Sequence, residues 1–155
     1  MKRPHHAITA DCHQGPHKVE LDAWIACAPF EHLLNMHIIE AKNGGAVLSM
    51  PFCYEYAQGA GLMHGGALVS LADTAVVMAI KSLLPEQSHF ATIRMASEFL
   101  YPVKSGTVTA KAAVARREER FIEGEATVYN ADERPVFRFS SVFKIARDLK
   151  IRQNY

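Results

Sequence analysis

The spacing of apolar positions changes twice along this chain. In residues 21–34, LDAWIACAPFEHLL, the apolar side chains Leu21, Ile25, Phe30, Leu33 and Leu34 recur at helical intervals around Pro29. That pattern predicts a short helix, or two turns meeting at the proline. In MHIIEAKNGGAVLSMPF, two β-prone runs flank Asn43-Gly44-Gly45, residues that accept positive φ, so a hairpin is expected. After the small-residue loop AQGAG comes a long apolar run, expected as a helix from about Gly65 to Leu84 and stopped by Pro85. From Phe90 onward the period falls to two over four runs, 90–100, 106–116, 121–130 and 135–146. In the last run Phe137, Phe139, Ser141, Phe143 and Ile145 alternate with Arg138, Ser140, Val142 and Lys144, the mark of a half-buried antiparallel strand. The order of elements is α+β, with five to six antiparallel strands expected to curve around one long helix. That helix is apolar nearly all round, and the sheet alone cannot cover it, so a partner subunit is expected to help.

Composition narrows the picture. The 155 residues suffice for one domain with a proper core, and 49% hydrophobic with 21% charged residues is ordinary for a soluble globular protein. A net charge of +1 argues against a nucleic-acid footprint. Cys12, Cys27 and Cys53 are odd in number and lack a CxxC pair, which fits a reducing compartment better than a disulfide framework or a zinc site. The amino-terminal residues lack the apolar stretch of a signal peptide. The long apolar run is broken by Asp73 and Lys81, so no membrane partner is expected and the location expected is cytoplasmic. Residues 1–18 carry His5, His6, His13 and His17 beside Cys12, a set that could hold a metal. Pro4, Gly15 and Pro16 favour a flexible tail instead, followed by a single domain over 19–155 with no metal site.

The candidate chemistry lies in GLMHGGALVSLADTAVVMAI, residues 61–80. Asp73 falls close to Val69, Val76, Val77 and Ile80 on a helical projection, where an ionised carboxylate costs several kcal/mol unless it is partnered. By spacing alone it is equally an edge residue near Ser70 and Thr74, or an N-cap if the run breaks at Ala72-Asp73. Gly65 and Gly66 sit in the first helical turn, where backbone N–H groups are unpaired, the helix dipole is positive and a ligand can approach closely. Such a helix start can polarise a carbonyl whose oxygen becomes negative in a transition state. Asp73 lies ~13 Å along the axis from His64 at 1.5 Å per residue, too far for both to act on one carbonyl. A second, antiparallel copy of the helix would bring the Asp73 of one subunit near the Gly65 of the other.

The stretches GLMHGGALVSLADTA and FATIRMASEFLYPVKSG resemble the hotdog-fold acyl-CoA thioesterases, in particular the phenylacetate-pathway (PaaI-like) and thioesterase-superfamily branch. The resemblance covers about residues 35–146 and rests on HGG with an acid nine residues after its histidine, and on the Tyr101-Pro102-Val103 turn. It implies a long central helix wrapped by a curved sheet, a homodimer with two shared active sites, and often a dimer of dimers. By the same resemblance, Asp73 is the general base on water or the nucleophile, Gly65 N–H polarises the thioester carbonyl, and His64 shapes that turn. Gln58 stands where the family usually has an asparagine that positions substrate and water, and Thr92 where a hydroxyl assists the acid. The substrate would be an acyl-CoA, with coenzyme A as part of it and no further cofactor. Gly66, Met63 and Val77 would line the site, and Arg116, Arg117 or Lys104 would meet the coenzyme A phosphates.

Other readings are weaker. No Gly-x-Ser-x-Gly elbow is present, which disfavours a serine hydrolase. A hotdog hydratase or dehydratase would pair a histidine with an acid in other spacings. A non-catalytic acyl-CoA-binding module is the remaining alternative, supported by Gln58.

Overall fold

The computed structural model describes residues 14–147; the tail residues His5, His6, Cys12 and His13 lie outside them. The elements are α1 (Pro29–Leu33), β1 (His37–Lys42), β2 (Gly45–Pro51), a 3-10 turn (Tyr54–Tyr56), α2 (Gly65–Lys81), β3 (Phe90–Phe99), β4 (Thr107–Glu118), β5 (Phe121–Tyr129) and β6 (Pro135–Ile145). All six strands form one antiparallel sheet in the order β1-β2-β4-β5-β6-β3. The sheet curls around α2, which touches β1, β2, β4, β5 and β6. No helix among the described residues is long and apolar enough to cross a membrane.

The core follows from the two periods. On the inner face of the sheet, Leu48, Met50, Val108, Ile122, Val128, Phe137 and Phe143 are fully buried against Leu71, Ala75, Val76 and Ile80 of α2. Burial of each such large side chain contributes roughly 1.5–3 kcal/mol before entropy is counted. Helix and sheet pack tightly at Gly124 of β5, where a Cβ would stand 2.3 Å from Val76 Cγ1.

The hairpin forms where expected, with Asn43 at φ 50° and Gly44 at φ 78°. Two boundaries differ from expectation. Helix α2 stops at Lys81, before Pro85, because Ser82 takes over: its hydroxyl donates to Ala79 O (2.6 Å) and accepts the Gly44 N–H (2.8 Å). Pro29 does not interrupt a helix but starts one, in the first position where its missing N–H is no loss. Residues 21–28 are not helical.

Strand β3 forms an edge of the sheet and carries a register shift between Thr92 and Arg94, with Ile93 as the extra residue. A bulge of this kind reverses which side chains face inward beyond it.

Gly124→Ala should destabilise the fold by about 1–3 kcal/mol, because Val76 is β-branched, fully buried and unable to turn aside. A Gly59→Ala control, at a site with no atom near the new Cβ, should change little. Urea unfolding checks both, and equal midpoints for the two variants would contradict the packing argument.

Candidate active site

Around α2 the sheet leaves one stripe uncovered. Gly65, Val69, Asp73, Val77 and Lys81, spaced four residues apart, are only half-buried, while most of the remaining helix is fully enclosed. The helix is continuous through Asp73, so the acid is not an N-cap. Its Oδ1 accepts a long hydrogen bond from the Thr92 hydroxyl (3.4 Å). Burial raises the Asp73 proton affinity above the ordinary carboxylate value; the Thr92 hydrogen bond opposes this, and the Glu31 charge adds to it. A carboxylate in this setting is more basic than a solvated one.

The amino-terminal turn of α2 is arranged around a single free donor. His64 is the N-cap: its Nδ1 accepts the Gly66 N–H (2.8 Å), and its carbonyl accepts the Ala67 N–H (2.9 Å). The His64 N–H donates to Tyr56 O (2.7 Å) and the Met63 N–H to Val103 O (2.9 Å). Among the described residues, Gly65 N–H has no hydrogen-bond partner. It lies where the helix dipole places its partial positive charge. A side chain at Gly66 would crowd the imidazole (3.0 Å to Nδ1), so the second glycine protects the cap.

Strand β3 runs antiparallel to α2 along the open stripe. Thr92 meets Asp73, and Phe99 meets Gly65, where a Cβ would stand 2.8 Å from the ring. Those two strand residues are seven apart, an odd spacing that puts side chains on opposite faces of a regular strand. The bulge at Ile93 brings both onto the helix side. Phe99 packs at 4.9 Å against Phe137 with the rings tilted by 56°, and remains 59% exposed. From its place in the sequence Phe99 is expected, with Val77, Met78 and Met95, to set the depth of an acyl tunnel; its contact with Gly65 has no signal there.

The other sequence-predicted residues divide by position. Gln58 lies in the loop before α2, and its Oε1 accepts the Ala60 N–H, which leaves its amide hydrogens as the free donors. Met63 is buried beside the helix start, and Val77 is half-buried one turn beyond Asp73. Lys104 follows Val103 and so sits at the amino end of α2. Arg116 and Arg117 sit at the other end, because nearby Val114 bonds Gly44, which in turn bonds Ser82. Arg116 also pairs with Glu118 (2.5 Å) on the surface. Within one chain these cations do not come together. Gly65 and Asp73 are likewise separated by eight residues, about 12 Å along the helix.

The sign of the Asp73 shift has a stability consequence. The folded state holds the proton more tightly than the unfolded chain, so stability falls as pH rises from the ordinary carboxylate value through the raised one. Asp73→Asn should therefore melt higher than the parent at pH 7, with the difference closing toward pH 4. A parent that melts higher at pH 7 would contradict this.

Comparison with known proteins agrees with the architecture. The model of the thioesterase superfamily matches residues 60–137, half of the chain. The PaaI protein of the Escherichia coli phenylacetic acid degradation operon is 27% identical with a TM-score of 0.70, over 76% of this chain and 83% of its own. The conserved protein PA5202 of Pseudomonas aeruginosa superposes with a TM-score of 0.74 at 24% identity, over 79% of this chain and 97% of its own. The thioesterase enzyme SAV0944 of Staphylococcus aureus gives 0.72 at 23% identity, over 75% and 97%. The last two speak to the fold alone. A six-stranded antiparallel sheet curled around one long helix is the hotdog fold, and this chain belongs to the thioesterase superfamily.

Proposed function

We propose that the protein is an acyl-CoA thioesterase whose site is shared between two subunits of a dimer. The observation that carries this reading is the pairing of one unpartnered backbone donor, Gly65 N–H, with one half-buried carboxylate, Asp73, on the same uncovered stripe. An antiparallel second copy would set the Asp73 of each chain beside the Gly65 of the other. Two further features support a partner there. Strand β3 is an open edge of the sheet, and its Ile93 and Met95 are about half exposed, which is unusual for a strand this long left alone in water.

In the proposed reaction the Asp73 carboxylate takes a proton from water. The hydroxide equivalent adds to the thioester carbonyl, and the partner's Gly65 N–H stabilises the oxyanion. Collapse expels the coenzyme A thiolate and leaves a carboxylic acid. Direct attack by the carboxylate, followed by hydrolysis of the resulting anhydride, is the variant in which Asp73 is nucleophile. Thr92 orients the acid, and His64, by holding Gly66, leaves Gly65 as the donor. In this reading the Gln58 amide hydrogens hold water or substrate. Gln58 precedes Asp73 by fifteen residues. Solved variants of SAV0944 replace with alanine a glutamine and a glutamate that are likewise fifteen residues apart. Two-fold antiparallel packing would also bring Arg116 and Arg117 of one chain to the end that carries Lys104 of the other, a cationic mouth for the coenzyme A phosphates.

Release of free thiol from a panel of acyl-CoAs tests the reading. Asp73→Asn should lower kcat by about 10²–10⁴. Gly65→Pro removes the N–H at the helix position that tolerates proline; combined with Phe99→Ala, because the new ring would otherwise strike Phe99, it should cost about 10²–10³ in kcat relative to Phe99→Ala alone. The kcat/KM should rise with pH through an inflection above the usual aspartate range, as Asp73 ionises. Turnover unchanged in Asp73→Asn would contradict the mechanism, and tight binding without thiol release would identify a binding module instead.

A further inference from the structure

The segment before β1, outside the stretch that resembles the family, is tied to both ends of α2. At the carboxyl end, Trp24 Nε1 donates to Lys81 O (2.9 Å), Lys81 Nζ donates to Trp24 O (2.9 Å), and the ammonium lies 4.8 Å from the indole centre. At the amino end, Asn35 Nδ2 donates to Tyr56 Oη (2.7 Å), which in turn donates to Leu33 O (3.0 Å). The Tyr56 carbonyl accepts the N–H of the N-cap His64 (2.7 Å). Between these anchors Ile25 and Leu34 pack on the core. Residues 24–35 thus run the length of α2 as a strap. They lead straight into β1, the edge of the sheet opposite β3. The open stripe is bounded by β3 on one flank and by this strap on the other.

Glu31 sits in the middle of the strap, half-buried, with its Oε2 accepting the Ala28 N–H (2.8 Å). Its charge reaches Asp73 and Lys81 of α2 and Cys27 of the strap itself, while β3 contributes the neutral Thr92 hydroxyl to Asp73. Burial is the larger influence on all three titrating groups. Beyond it, the Glu31 charge raises the proton affinity of each, so the carboxylate is felt along two turns of the stripe.

We propose that the strap Trp24–Asn35 is the second wall of the groove around Asp73, and that its Glu31 carboxylate selects against acyl groups bearing negative charge. The inference rests on the acyl-CoA reading of the same groove. A neutral acyl group passing Asp73 meets no penalty from Glu31. A carboxylate at the far end of a short acyl chain meets two like charges in a poorly solvated cleft.

The test uses the full chain and the conservative variant Glu31→Gln, whose side-chain carbonyl can still accept the Ala28 N–H. Succinyl-CoA and butyryl-CoA share four acyl carbons and differ by a terminal carboxylate. The ratio of kcat/KM for succinyl-CoA over butyryl-CoA should rise at least about tenfold in Glu31→Gln. The pH inflection of butyryl-CoA hydrolysis should also fall, as the acid loses a neighbouring charge. A purely structural strap would lower the melting temperature and leave both readouts in place, which would overturn the proposal. If neither thioester is hydrolysed, the thioesterase reading fails separately, and the ratio of the two dissociation constants by calorimetry still decides. A shifted ratio upholds the strap as selector; an unchanged ratio, or no binding of either, overturns it.

Discussion

One constraint organises this molecule: a seventeen-residue helix that is apolar on nearly every face must be kept from water. A single curved sheet achieves most of this, because its inner-face residues are long and branched and the helix presses into it at Gly124. A sheet has two edges, and here they do not meet. The stripe of α2 left between β1 and β3 is the part of the structure whose covering is unfinished, and Asp73 lies in its middle. An acid placed there is partly desolvated without being sealed. That condition raises its basicity while leaving it reachable, at a cost to the stability of the isolated fold.

The same economy governs the helix start. A helix leaves its first N–H groups unsatisfied, and this one disposes of them individually: His64 takes Gly66 and Ala67, so Gly65 is the one left facing outward. The two glycines have different reasons to be glycine. At 66 a side chain would strike the capping imidazole, and at 65 it would strike Phe99. The donor and the base are then separated by a distance the helix cannot shorten. That rigidity is why the proposed chemistry calls for two chains.

Much of this was legible in the residues. Asn43-Gly44-Gly45 announced the hairpin, alternation announced four later strands, and the glycine-flanked histidine marked the start of α2; a simple meander of those four strands does not form, because β3 pairs with β6 at the far edge while β4 pairs with β2. What escaped was set by contacts between distant residues. Ser82 ends α2 because it meets Gly44, thirty-eight residues away. Trp24 and Lys81 clasp each other across fifty-seven. The bulge at Ile93, which puts Thr92 and Phe99 on one side, has no signature in the run FATIRMASEF. Pro29 looked like an interruption because its role as a helix start depends on Glu31 reaching back to Ala28. Of the candidate site, the helix-borne residues were visible, and the second flank of the groove was not.

The central claim is that each site takes Asp73 from one chain and the Gly65 N–H from the other. The most direct measurement mixes two inactive proteins, Asp73→Asn and Gly65→Pro (the latter carrying Phe99→Ala to make room for the ring), under conditions that exchange subunits. Random pairing makes half of the dimers mixed, and each mixed dimer rebuilds one intact site of two, so thiol release should return to roughly a quarter of the parental rate. Activity no greater than the sum of the two separate variants would contradict the shared site.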